Sequence, residues 1–197
     1  MSETEFYTPI SDGRHQRSRD SKRKIVTAML ELVRAGVIAP TAEEVAARAN
    51  VGLRTVFRRF KDMESLYAEM SLAISQKVAP LLNEAPSHAD WRQNFRQLLE
   101  RRLQMYEIIM PYRIASNAMK LKSNILLSRH SELVRDERKL LRAVLPSFLL
   151  TDPVLAEALE AALSFDMWNQ LRNDQNLSVD QATAVVQKFC SALLLST

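Results

Sequence analysis

The stretch Thr41-Ala-Glu-Glu-Val-Ala-Ala-Arg-Ala-Asn-Val-Gly-Leu-Arg-Thr-Val-Phe-Arg-Arg-Phe60 decides the fold. Thr41 followed three residues later by Glu44 fits a capping box, which opens a helix by satisfying two of its free amides. Val45, Ala46 and Ala49 form that helix's inner face. Asn50 and Gly52 interrupt the pattern, and both accept turn dihedrals. Leu53 to Phe60 reads as a second short helix. It turns Val56 and Phe60 inward and Leu53, Arg54, Thr55, Arg58 and Arg59 outward. A capped helix, a tight turn and a second helix, with small Ala46 where the two cross, is the layout of a helix-turn-helix. The outer face carries three arginines between residues 54 and 59. Such a helix fits a DNA major groove, where guanidinium forks onto guanine edges or phosphates.

Upstream, Ile25, Met29, Leu32 and Val33 mark one face of a helix from about Ser18 to Ala35, with Gly36 placed to end it. Residues 1–17 lack helical periodicity and read as a flexible arm, acidic and then basic. Its basic part, Arg14 to Lys24, either reaches DNA beside the main contact or is simply solvated. Downstream, Asp62 is placed to cap a fourth helix carrying Leu66 and Met70, which continues to about residue 80. Residues 18–66 thus form a DNA-binding unit, and residues 80–197 a larger helical one. Asn83 to His88 reads as a linker. Trp91, Phe95, Leu98, Leu99, Tyr106 and Ile109 mark a long helix to about Met110, where Pro111 predicts a kink or a new start. Further helices are expected over 112–121 and 124–145. Another opens at Asp152-Pro153 and runs to about Arg172. The last runs from the capping box Ser178-Val-Asp-Gln181 to about Leu195.

Composition agrees with an all-α chain. There are 3 Gly in 197 residues, too few for the turns of most sheet folds, and no Gly-rich phosphate loop occurs. One cysteine, Cys190, excludes an intramolecular disulfide and a cysteine-based zinc site. The acidic, polar N-terminus does not read as a signal peptide, and no apolar run reaches membrane-spanning length. A cytoplasmic protein without membrane association is expected.

The net charge of +4 hides an asymmetry. Residues 1–12 carry −3, residues 13–61 carry +8, and residues 62–197 carry −1. A field concentrated in about fifty residues points to a polyanion.

With these residues in view, Ala49 to Phe60 resembles the helix-turn-helix signature of TetR-type transcriptional repressors, loosely A-G-V-S-x-x-T-(L/V)-(Y/F)-x-(H/Y)-F followed by K-E-x-L. The likeness extends to Glu64 and Leu66. Asn50 stands where the turn glycine is usual, Gly52 where serine caps, Phe57 where tyrosine is common, and Met63 where lysine binds phosphate. The resemblance implies that Thr41 and Thr55 donate to phosphates and that Gly52 brings the helix N-terminus close to one. It also implies that Leu53, Arg54 and Arg58 face base edges, that Phe57 packs on sugar and backbone, and that Arg59 and Lys61 neutralise phosphates.

One short recognition helix reads too few base pairs to be selective, and two-fold dimers on palindromic double-stranded operators solve this. Leu155, Leu159, Ala162 and Leu163, with Ala182, Val185, Val186, Phe189 and Leu193, are the expected homodimer interface, as a four-helix bundle; burial within one protomer is the alternative. The resemblance further implies a small-molecule effector bound in the larger domain, for which Met105, Tyr106, Met110, Tyr112, Met119, Phe148, Phe165 and Trp168 offer adaptable and aromatic lining. Plain core is the other reading of such side chains. No cofactor, metal or catalytic residue is expected: His15, His88 and His130 are scattered, and no HExxH or GxSxG occurs. The expectation is a repressor released by its effector. The competing reading is a helical interaction module, which gives no reason for three outward arginines behind a tight turn.

Overall fold

A computed structural model of the chain describes residues 12–82, 87–121 and 123–195, with side chains from residue 16. Most of the arm, and most of the linker before His88, lie outside the described residues. Every regular element among the described residues is a helix.

Helix α1 spans Asp12–Arg34. It therefore takes in residues 12–17, which the missing apolar stripe assigned to the arm. Nothing from Arg14 to Ala35 is Gly or Pro, and the Ser21 hydroxyl donates to the Arg17 carbonyl at 2.8 Å within the first turns. A charged helix can form there without an apolar face because it needs no partner to bury. Gly36, at φ 97°, ends α1 in a left-handed cap in which the Val37 amide donates to the Leu32 carbonyl at 3.1 Å.

Helices α2 (Ala42–Arg48) and α3 (Leu53–Arg59) follow at the expected places. Helix α4, Met63–Leu82, opens where the Ser65 amide donates to Asp62 Oδ1 at 2.8 Å, as the aspartate cap predicts. That bond, with help from the neighbouring hydroxyl and Lys61, holds the Asp62 carboxyl below its ordinary pKa.

Helix α5, Trp91–Lys120, passes through Pro111 without ending. Its inner side is committed to the core on both sides of the proline (Ile109, Tyr112 and Ala115 are all buried), so packing holds the helix together. Ser123 caps α6, Asn124–Val144. A short α7, Ser147–Leu150, leads to α8, Pro153–Ala162, whose cap is Asp152. The expected single helix from Asp152 to Arg172 instead breaks at Leu163. There Ser164 Oγ accepts from the Met167 amide at 3.1 Å and starts α9, Phe165–Asn169, followed by a π-type turn, Gln170–Asp174. Helix α10, Val179–Leu195, opens at the Ser178–Gln181 capping box, with reciprocal bonds of 2.9 and 3.2 Å.

One apolar core runs from Ile25 of α1 to Cys190 of α10. Inside it lies a charged cluster that the sequence did not announce. Arg113 Nη1 donates to Glu137 Oε1 at 2.8 Å, and Tyr106 donates its hydroxyl to Glu137 Oε2 at 3.1 Å and to the Leu163 carbonyl at 2.9 Å. Arg102 donates to the Glu137 carbonyl. Burial, then the Glu137 charge, pushes the Tyr106 hydroxyl far above its ordinary pKa, so it remains a donor. The network ties α5 to α6 and to the end of α8.

Candidate nucleic-acid interface and effector cavity

The helix-turn-helix is built by local hydrogen bonds. The Glu44 amide donates to Thr41 Oγ1 at 3.2 Å, and the Thr41 amide donates to Glu44 Oε2 at 2.8 Å. The hydroxyl of Thr41 thus accepts within the cap while the residue stays exposed. At the other end Asn50 takes φ 52°, the Val51 amide donates to the Ala46 carbonyl at 3.0 Å, and the Asn50 amide to Ala47 at 3.2 Å. Asparagine accepts this left-handed position, so the turn forms without the usual glycine. Gly52 is extended, φ −69° and ψ 146°, and caps α3 without a side chain. A Cβ there would meet nothing within 4 Å, so the glycine is not demanded by space.

Val56 and Phe60 are buried and fix the rotation of α3. That rotation exposes Gly52, Leu53, Arg54, Phe57 and Arg58, with Thr55 half-buried. Leu53 is 38% and Phe57 48% exposed, a large apolar presence on a helix this short. Among basic side chains of this unit, several are already engaged: Lys22 pairs with Glu69 at 2.8 Å, Arg48 with Glu31 at 2.6 Å, and Arg23 with Asp20 at 3.4 Å. Arg59 is drawn back from the outer face, donating to the Ser18 hydroxyl of α1 while half-buried. This corrects its assignment as a free phosphate neutraliser: it braces α3 against α1. Arg54, Arg58 and Lys61 are exposed and have no acid within 4.0 Å among the described residues. Exposed, unpaired charge thus sits on and just beyond α3, as it also does at Arg19, Lys24 and Arg34 of α1 among the described residues.

Helix α4 carries this unit. Tyr67 donates its hydroxyl to the Ile38 carbonyl at 3.2 Å, and Glu69 holds Lys22. Farther along, Ile74, Val78 and Leu82 of α4 line a cavity of about 540 Å³ closed by α5 and α6. Of the eight side chains expected in an effector pocket, Met105 and Tyr112 line this cavity. Tyr106 and Phe165 stack edge-on at 5.6 Å in the core, and Trp168, fully buried, donates to Glu107 at 2.9 Å. Met110 accepts from Asn173, and Met119 is half-buried outside the cavity. Phe148 is exposed, edge-on to Trp91 at 6.4 Å. Aromatic and methionine side chains on two sides of α5 look alike in sequence, and only one side faces the cavity. Sequence reasoning missed Ser71, Arg113, Lys120, Arg129 and His130 of the lining. Residues 102, 106, 109 and 113 share one helical stripe, so Arg102 and Arg113 at core positions were the available signal.

The expected dimer residues also need correction. Leu155, Leu159, Ala162, Leu163, Ala182 and Val186 are buried within the chain itself. Val185 and Leu193 are half-buried, and Phe189 is 45% exposed. The free apolar surface of α8 and α10 is instead Val154, 75% exposed, with Ala161, Phe189 and Ala192.

No metal-binding cluster of His, Cys, Asp or Glu occurs among the described residues, and none of their helices is long and apolar enough to cross a membrane.

No family model and no curated protein matches the sequence. Solved structures do match the fold. A TetR-family transcriptional regulator from Mesorhizobium loti superposes with TM-score 0.62 at 19% identity, covering 91% of this chain and 98% of that one. A TetR transcriptional regulator from a Rhodococcus species gives TM-score 0.53 at 18% identity, covering 92% and 99%. The chain therefore has the fold of these regulators over nearly its full length, as the helix-turn-helix resemblance implied.

Proposed function

We propose that the chain is a DNA-binding transcriptional regulator, acting as a homodimeric repressor that a small molecule releases from its operator. The observation that carries this reading is α3 itself. Its inner face is locked by Val56 and Phe60, and its outer face presents Arg54 and Arg58, unpaired, beside exposed Leu53 and Phe57. Arginine forks suit guanine edges, and apolar side chains suit thymine methyls. Thr41, Thr55 and Lys61, with the α3 N-terminus at Gly52, are assigned to phosphates, which fix register and carry most of the affinity.

Dimerisation is assigned to the exposed faces of α8 and α10, centred on Val154 and Phe189. Apolar side chains of this exposure on neighbouring helices favour a self-complementary contact. Repression follows from occupancy of the operator. Effector control is assigned to α4, which lines the cavity at one end and holds the DNA-binding unit through Tyr67 and Glu69 at the other. A ligand that fits one setting of α4 better than the other shifts the population between them.

The test is binding to DNA flanking the chain's own gene, at several salt concentrations, against a scrambled competitor. Competitor-resistant binding with a footprint of two symmetric half-sites is expected. A steep salt dependence without sequence discrimination at the flanking DNA or in a genome-derived selection refutes the reading and leaves only a basic surface.

A further inference from the structure

We propose that the cavity between α4, α5 and α6 takes an amphipathic anion, an apolar body ending in a carboxylate. This assignment rests on reading the cavity as the effector site.

The cavity has two unlike ends. The Ser71 and Ser116 hydroxyls, 3.1 Å apart, set the register of α4 against α5. From that point α4 runs toward Leu82 while α5 runs back toward Met105, so Val78, Leu82, Met105, Ile109 and Leu140 make one end apolar. The other end lies beside the α5–α6 turn and holds Arg113, Lys120, Arg129 and His130. Lys120, Arg129 and His130 are half-buried, and Arg113 is buried. Neither Lys120 nor Arg129 has an acid within 4.0 Å among the described residues.

Behind them the charge is also in excess. Arg102 and Arg113 are both buried. The Glu137 carboxylate accepts from Arg113, whose guanidinium also lies over the Phe165 ring at 4.5 Å, while Arg102 reaches only the Glu137 main-chain carbonyl, and the Nε of each has no hydrogen-bond partner among the described residues. Arg113 keeps only 7% of its side chain exposed and forms part of the cavity wall. A buried cation short of partners is costly, and an anion brought beside it offsets that cost. His130 lies in the same field: burial first, then Lys120 and Arg113, lower its pKa, with Asp166 and Glu137 opposing. It is therefore mostly neutral at pH 7 and can donate one ring N–H to a carboxylate.

The acids of the lining sit elsewhere. Glu132 and Asp136 are exposed, and Asp136 lies 3.5 Å from Lys139 at the rim. A cationic ligand would find carboxylates only at the edge and basic groups inside. A volume of about 540 Å³ suits a molecule of ordinary ligand size with a hydrocarbon body.

The test uses the full chain without DNA, and three probes of matched tail: dodecanoate, dodecanol and dodecyltrimethylammonium. Calorimetric titration should show dodecanoate binding about tenfold or more tighter than the alcohol, and the ammonium weakest, as a charge-assisted hydrogen bond requires. The double variant Lys120→Gln/Arg129→Gln should bring dodecanoate down to the affinity of the alcohol and leave the alcohol unchanged. Ala79→Phe, which fills the apolar part, should weaken both. Both variants are compared by circular dichroism and melting with the parent chain. Equal affinity for acid and alcohol, preference for the ammonium, a preference that survives the double variant, or no binding by any probe each overturns the proposal. Operator release is measured separately. Dodecanoate binding that leaves DNA affinity unchanged refutes the effector reading while the anion assignment stands. Release by a neutral or cationic molecule, with no carboxylate preference, does the reverse.

Discussion

Replacing Glu137 tests the packing of the larger helical unit most sharply. Its side chain is 8% exposed, and the carboxylate accepts from Arg113 at 2.8 Å and Tyr106 at 3.1 Å, while its carbonyl accepts from Arg102. In Glu137→Ala, Tyr106 keeps its second acceptor, the Leu163 carbonyl at 2.9 Å. Arg102 likewise keeps the main-chain carbonyl of residue 137. The loss therefore falls on Arg113, a buried cation left with no carboxylate, and breaking a buried pair this way costs about 3–5 kcal/mol. Against a total stability of about 5–15 kcal/mol, that is a large fraction. Glu137→Gln keeps the shape and an acceptor but not the charge, so about 1.5–3 kcal/mol is expected. The assay is urea unfolding at one fixed protein concentration, since self-association adds to apparent stability. Arg113→Met/Glu137→Met should cost less than Glu137→Met alone, because the double change removes one orphaned cation. A Glu137→Ala variant within about 1 kcal/mol of the parent, or a double variant worse than the single, refutes the account of this cluster.

Three further outcomes are expected. Arg54→Ala/Arg58→Ala should abolish sequence discrimination on DNA with the melting curve unchanged, whereas Lys61→Ala should keep discrimination and make the logarithmic salt slope shallower by about 0.9 for the one phosphate that Lys61 neutralises; anisotropy titrations across salt distinguish them, and unchanged discrimination in the double variant sinks the assignment of α3. Val154→Lys or Phe189→Glu, both at exposed positions, should give monomers by light scattering without lowering helix content, and a persistent dimer would move the interface elsewhere. His130 has its folded pKa lowered below the ordinary histidine value of 6.5, so the unfolded chain binds the extra proton first; its contribution to stability is present above about pH 6.5 and is lost as pH falls through the folded pKa. The melting temperature should therefore drop on acidification more steeply in the parent than in His130→Asn, and identical pH profiles would exclude that residue as the cause.

What was legible in the sequence was legible for local reasons. Thr41 with Glu44, Ser178 with Gln181, and Asp152 with the Val154 and Leu155 amides beyond Pro153 each complete their hydrogen bonds within three residues, so their identity alone announces a helix start. Asn50 announced its turn because few other residues accept φ near 52°. The same reasoning failed where a decision is tertiary. The stripe Leu155, Leu159 and Ala162 demands a neighbour, but periodicity does not say whether that neighbour is α10 of the same chain or a second copy; here it is the same chain. The break at Leu163 was hidden because apolar spacing continues through Phe165 and Trp168. Only Ser164, whose hydroxyl caps α9, carried a sign of it. Pro111 misled in the other direction, since packing on both sides of it outweighs one missing amide. Arg59 was read as outward from its spacing, yet a side chain that long folds back to Ser18, which no pattern of alternation encodes.

The placement of charge links the two candidate sites. Basic side chains that pair internally, Lys22 with Glu69 and Arg48 with Glu31, lie where helices are joined to one another. Arg54 and Arg58 of α3, and Lys120 and Arg129 of the cavity lining, have no acid within 4.0 Å among the described residues. An exposed unpaired arginine on α3 costs the fold little, since water solvates it. Half-buried, unpaired Lys120 and Arg129 beside Arg113 are different, because burial penalises each without a compensating acid. A fold keeps such a cluster at a cost in stability, and a ligand that supplies the missing anion recovers part of it. That recovered free energy is available only in the arrangement of α4, α5 and α6 that holds the anion. Helix α4 carries Ser71 at the basic end and, within the turn before it, Tyr67 and Glu69, which contact Ile38 and Lys22 of the helix-turn-helix unit. Moving a two-state equilibrium from one side to the other takes about 5.5 kcal/mol of differential binding. A carboxylate against three basic groups at the α5–α6 turn, with its tail between α4 and α5, has the means to supply a substantial part of that difference.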